Sequence, residues 1–182
     1  MNLENYLQDK FKLYDSLHKF NILLDIQGTP CARVAINGIV TFDDKLTTGS
    51  VCIDTEQNLD KHASGSISIE MYNKTNRDTI VQNGEIVSDV TLGITDIFIN
   101  GVSLSKTGHI HRGVYTPQYW EDYKGDKPKT ITGARVMGFN GVWKYSWSAS
   151  PIRDIINHFH GTQDKIIKQD ISEIFDAMDI KL

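Results

Sequence analysis

The chain has 182 residues, 40% apolar and 23% charged, with a formal net charge of -4. Those figures fit one globular domain with appendages and a buried core. They disfavour a nucleic-acid groove, because Lys and Arg never cluster, and membrane insertion, because no apolar run approaches the ~20 residues that span a bilayer.

Residues 1–19 are expected to form an amphipathic helix. Leu3, Tyr6, Leu7, Phe11, Tyr14, Leu17 and His18 recur at three- and four-residue spacing, with Glu4, Asp9, Lys10, Lys12 and Asp15 mostly opposite. Such a helix packs on its own domain or docks on a neighbour. The same N-terminus lacks the charged-then-apolar order of a signal peptide, so synthesis in a cytoplasm is expected. In that compartment Cys31 and Cys52 are expected as two buried, reduced thiols in adjacent strands.

Residues 20–149 alternate apolar and polar in short runs. Strands are expected at 20–27, 31–36, 39–42, 49–53 and 67–71, with 54–66 a polar loop. The densest pattern is IVSDVTLGITDIFINGVSL, Ile86 to Leu104. Val90, Leu92 and Ile94 share one parity and Ile97 and Ile99 the other, so a bulge or kink is expected at Gly93. Four Asn-Gly dipeptides, at 37–38, 83–84, 100–101 and 140–141, each lie between apolar runs. Asn-Gly suits a two-residue hairpin turn, because both positions need positive φ. The expected fold is therefore mainly β: an antiparallel β-sandwich or jelly roll of about ten short strands.

Residues 135–139 and 142–148 are expected as a further pair of strands. Residues 150–182 are expected to be helical. Ser150 can cap, Pro151 suits the first helical position, and Ile152, Ile155, Ile156 and Phe159 share a stripe. A second helix is expected from Thr162.

Few motifs carry chemistry. His109 and His111, if on a strand, would point the same way and could share a metal in a jelly-roll enzyme. The flanking glycine and glutamate of a cupin are missing, so no metal is assigned there. Asp43, Asp44, Asp54, Glu56 and Asp60 lie in what read as two adjacent loops, where calcium binding or solvated turn acids are the alternatives. No pair of acids is selected for glycoside hydrolysis. There is no Gly-x-Ser-x-Gly, Cys-x-x-Cys, Walker or Rossmann pattern. The chain is therefore expected to be non-enzymatic and to need no cofactor.

Aromatic residues give the functional signal. Trp143, Tyr145 and Trp147 line one face of a strand, either as core or as a stacking platform. Tyr115, Tyr119, Trp120 and Tyr123 lie in a long Gly- and Pro-containing stretch, 113–130, and are the candidate ligand or partner contacts.

The run NKTNRDTIVQNGEIVSDVTLGITDIFINGVSL, followed by GVYTPQYW, resembles small structural proteins of tailed bacteriophages whose β-sandwich is like that of carbohydrate-binding modules. The resemblance covers about Ile67 to Trp120. It implies a virion component of the tail, baseplate or fibre region, made in the host cytoplasm. Its partners would be other virion proteins or itself, as a homo-oligomer or part of a larger assembly. The alternative it implies is a carbohydrate-binding module contacting a surface glycan through the aromatic loop.

Overall fold

The computed structural model describes residues 16–59, 63–148 and 150–155. Thirteen strands are described, in chain order: β1 Leu17–Gln27, β2 Cys31–Ile36, β3 Ile39–Lys45, β4 Gly49–Asn58, β5 Gly65–Tyr72, β6 Ile80–Gln82, β7 Glu85–Ser88, β8 Thr91–Ile99, β9 Val102–Ser103, β10 Val114–Pro117, β11 Ile131–Thr132, β12 Val136–Met137 and β13 Gly141–Trp147. One sheet has the order β12-β8-β1-β4, with β9 added beside β8, and the other has the order β11-β10-β13-β5-β2-β3. Every described pairing is antiparallel.

The two inner faces meet in one core, as a β-sandwich requires. Phe20, Ile22, Leu24 and Ile26 of β1 supply one side, with Leu92, Ile94, Ile97 and Ile99 of β8. Val34 and Ile36 of β2, Ile67, Ile69 and Met71 of β5, and Trp143, Tyr145 and Trp147 of β13 supply the other. Each large apolar side chain so buried contributes about 1.5–3 kcal/mol relative to exposure. The β13 stripe is therefore core, not a stacking platform.

Three of the four Asn-Gly pairs turn hairpins with both residues at positive φ: Asn37 at 51° and Gly38 at 80°, Asn83 at 54° and Gly84 at 85°, Asn100 at 50° and Gly101 at 84°. Asn140-Gly141 does not. Asn140 has no positive φ, and Gly141, at 148°, opens β13 where an added Cβ would meet the Thr116 carbonyl oxygen at 2.3 Å.

Several expectations are corrected. Leu17 to Lys19 are strand, not helix, because His18 shares the inward parity of Phe20 and Ile22; the rest of the expected N-terminal helix, residues 1–15, lies outside the described residues. The β8 irregularity falls at Thr95, not Gly93: Leu23 pairs with Asp96 and Leu24 with Ile94. Asp96 turns inward there and accepts hydrogen bonds from Ser103 Oγ and the backbone N–H groups of Ile97 and Ser105. Arg135 donates to the Ile94 and Thr95 carbonyls beside the bulge. Between residues 135 and 139 only Val136–Met137 is strand.

Residues 54–58 continue β4, because β1 is long enough to pair all of it. Cys31 and Cys52 lie in different sheets, and Cys52 is exposed because inward parity on β4 belongs to Ile53. Ile86 and Val87 belong to β7, which pairs with β6 in a separate two-stranded hairpin instead of joining the sandwich.

Residues 151–155 are helical, and Ser150 accepts the Arg153 N–H at its hydroxyl, as an N-cap does. The expected helices beyond residue 155 lie outside the described residues. Among the described residues no helix is long and apolar enough to cross a membrane.

Candidate functional site

The strand ends gather one set of loops at one end of the sandwich. Gln27 pairs with Thr91, Cys31 with both Lys45 and Tyr72, and Gly141 with both Met71 and Pro117. Residues 28–30, 46–48, 73–90, 118–130 and 138–140 therefore share one rim.

Phe139 is the centre of an aromatic cluster on that rim. The rings of Tyr119, Trp120 and Tyr123 lie 4.8, 5.0 and 4.9 Å from its centroid. Tyr119 and Tyr123 stack at 5.4 Å and 8°. Offset and edge contacts at these distances are the favourable ones for aromatic rings. All four residues are half-buried, so part of each faces solvent. Gly125 leaves the room that the Tyr123 hydroxyl occupies.

The loop is fixed by backbone contacts. Gln118 N–H donates to the Asn140 carbonyl at 2.7 Å. The Asn140 side chain accepts the Lys74 N–H at 2.9 Å and donates to the Lys74 carbonyl at 2.8 Å. Asn140 thus mimics a paired strand residue and binds two loops together.

Lys74 is the buried cation of the rim. Its side chain is 1% exposed, and its ammonium lies 2.6 Å from Asp89 Oδ1. It also donates to the Gly138 carbonyl. The Trp120 ring centroid lies 5.6 Å from it and that of Phe139 5.9 Å, within cation–π range. Asp89 Oδ1 accepts in addition from Thr79 Oγ1 and Val90 N–H.

Beside Lys74 lies a polar recess of about 300 Å³, lined by Thr29, Lys45, Asn73, Lys74, Thr75, Asp78 and Val90. Asp78 closes the capping box of a short 3-10 helix, Asn76–Asp78. The backbone and then the side chain of Thr75 donate to its carboxylate and hold it below the usual range.

Of the sequence-derived candidates, Tyr119, Trp120 and Tyr123 come together and Tyr115 does not join them. Tyr115 sits in β10 with inward parity, 2% exposed. Its hydroxyl donates to the Phe139 carbonyl at 2.6 Å, and burial pushes its pKa up to about 12. It supports the cluster from beneath.

His109 and His111 lie in a 3-10 helix, His109–Arg112, opened by Gly108 in the left-handed conformation; His109 is buried and His111 exposed, so they do not face one site. The acids are dispersed as well. Asp43 on β3 pairs with Arg33 and Tyr72, while Asp54 and Glu56 on β4, in the other sheet, contact Asn21 and Lys19. Asp60 lies outside the described residues. Among the described residues no three His, Cys, Asp or Glu side chains form a group that could hold a metal.

Sequence reasoning missed Phe139, Lys74 and Asn140. A half-polar stretch such as GFNG signals a turn, and a lysine in NKTNRD signals solvent. Their roles depend on partners far along the chain.

No family model matches the chain, and no curated protein matches it. Two solved structures align over most of it. One is vCBM60, described with two families of calcium-dependent carbohydrate-binding modules linked by circular permutation: 12% identity, TM-score 0.49, covering 72% of this chain and 91% of that one. The other is vCBM60 in complex with galactobiose: 14% identity, TM-score 0.44, covering 70% and 96%.

Proposed function

We propose that the chain is a non-catalytic recognition module that binds glycan through Tyr119, Trp120 and Tyr123. The observation that carries this is their assembly around Phe139, half-exposed, on a rim held by Lys74 and Asn140. Preorganised rings stack on the apolar faces of sugar rings with little ordering cost. The test is a glycan array followed by calorimetry on the best ligand. Trp120→Ala is expected to weaken binding at least tenfold, about 1.4 kcal/mol, with the fold intact by thermal melting. Binding unchanged in that variant would remove the site.

A second reading, self-association of the chain as a homo-oligomer, draws on one specific observation. The β6–β7 hairpin exposes Ile80 (47%), Val81 (56%), Ile86 (63%) and Val87 (53%), and pairs with no other described strand. Unprotected strand edges with apolar side chains are templates for pairing. An antiparallel edge is self-complementary about a two-fold axis, so the occupant proposed is a second copy of this chain. Light scattering on the full chain tests it; a strict monomer at high concentration would count against it.

A further inference from the structure

The polar recess and the aromatic cluster share Lys74, yet their chemistries differ. The cluster offers ring faces. The recess offers the Lys45 ammonium and the Asn73 amide as donors, the Asp78 carboxylate as acceptor, the Thr29 hydroxyl as both, and the Thr75 hydroxyl, whose proton goes to Asp78, as a further acceptor. The Lys74 charge is already matched by Asp89 at 2.6 Å. That leaves one cation, Lys45, and one anion, Asp78, so the lining has no excess of positive charge with which to select an anion. A mixed donor and acceptor set without net charge suits a neutral polyol. At about 300 Å³ the recess is at the small end of ligand sites and matches a single sugar ring rather than a chain. Asn73 is well placed to change partners. Its amide donates to Cys31 Sγ at 3.8 Å, a weak acceptor.

We infer that the recess reads the hydroxyls of one neutral sugar unit while a neighbouring unit stacks at Trp120, so that the ligand is a neutral oligosaccharide of at least two units. This rests on the glycan reading above. It assigns different work to the two halves: the rings supply affinity that is tolerant of sugar identity, and the recess distinguishes epimers by the direction of their hydroxyls.

The test uses the full chain and an array of neutral oligosaccharides beside sulfated and uronate-containing counterparts, with calorimetry on the hits. Two variants separate the halves. Trp120→Ala removes the largest ring. Asn73→Gly with Lys45→Ala removes two polar groups of the recess, and glycine tolerates the φ of 67° that Asn73 adopts. The expected result is uniform weakening of all hits in Trp120→Ala, and in the double variant a loss of about threefold to tenfold with altered ranking of epimers. If Trp120→Ala loses binding while the double variant keeps both affinity and ranking, the recess assignment is wrong and the glycan reading stands. Stronger binding of sulfated or uronate counterparts would overturn the neutral class. A monosaccharide that binds as tightly as its disaccharide would overturn the two-unit span. If no array member binds the wild-type chain, both readings fall.

Discussion

The Lys74 ammonium lies 2.6 Å from Asp89 Oδ1, and these two residues bracket the segment that carries both the Asn76–Asp78 turn and the exposed hairpin. A buried ion pair is a poor source of net stability but a costly one to break on one side. Lys74→Met is therefore expected to destabilise the protein by about 3–5 kcal/mol, because Asp89 is left uncompensated. Lys74→Met with Asp89→Asn is expected to recover part of the loss. Chemical denaturation of the four members of that cycle gives the coupling; additive effects would show that the pair does not hold the rim.

Tyr115 and Trp120 separate support from contact. Tyr115→Phe removes the hydrogen bond to the Phe139 carbonyl and is expected to cost about 1 kcal/mol of stability, with glycan affinity little changed. A larger effect on affinity than on stability would place Tyr115 in the contact surface, against its burial.

Acid is expected to weaken the fold through four carboxylates, Asp43, Asp54, Asp78 and Asp154; at Asp54, hydrogen bonds from Asn21 and then Cys52 lower the pKa. Tyr72 and then Arg33 hydrogen-bond Asp43 and lower its pKa; Thr75 does so for Asp78. At Asp154 burial pulls upward, but hydrogen bonds from Ser148 and Arg112 outweigh it and the pKa is lowered. A carboxylate depressed in the folded state contributes stability above its unfolded value, about 3.9, and loses it as pH falls through the folded value. The melting temperature is therefore expected to be nearly flat between about pH 7 and pH 5 and to drop below about pH 4. Asp78→Asn is expected to flatten that drop, and an unchanged slope would rule out its contribution.

Replacing Ile80 and Ile86 together by threonine keeps β propensity and removes apolar surface from the hairpin. If copies of the chain pair there, the mass measured by light scattering is expected to fall to that of a monomer with the melting temperature unchanged. Retention of the multimer would place the contact elsewhere.

The sandwich was legible because its inward residues alternate without exception along β1, β5 and β13, and because three Asn-Gly turns have the φ values that dipeptide favours. The failures share a cause. Asn140-Gly141 has the same two letters, but its asparagine hydrogen-bonds Lys74, 66 residues away, instead of turning the chain. Tyr115 stands only four residues before Tyr119 in the same aromatic-rich stretch, yet strand pairing with Trp143 fixes its parity inward. The parity slip in β8 was visible, but its position was not, since the bulge is decided by the inward Asp96 and the partners that satisfy it. Local pattern carries turns and faces; long-range pairing decides which loops meet.

The chain contains three tryptophans, and the fold divides them unequally. Trp143 and Trp147 are sealed in the core, while Trp120 lies half-exposed on the rim. Intrinsic fluorescence thus comes with a built-in reporter. An aqueous quencher should reach Trp120 first, and a ligand that covers the rim should shield that fraction of the emission while leaving the two core indoles unaltered. Occupancy of the site can then be followed in the unlabelled protein.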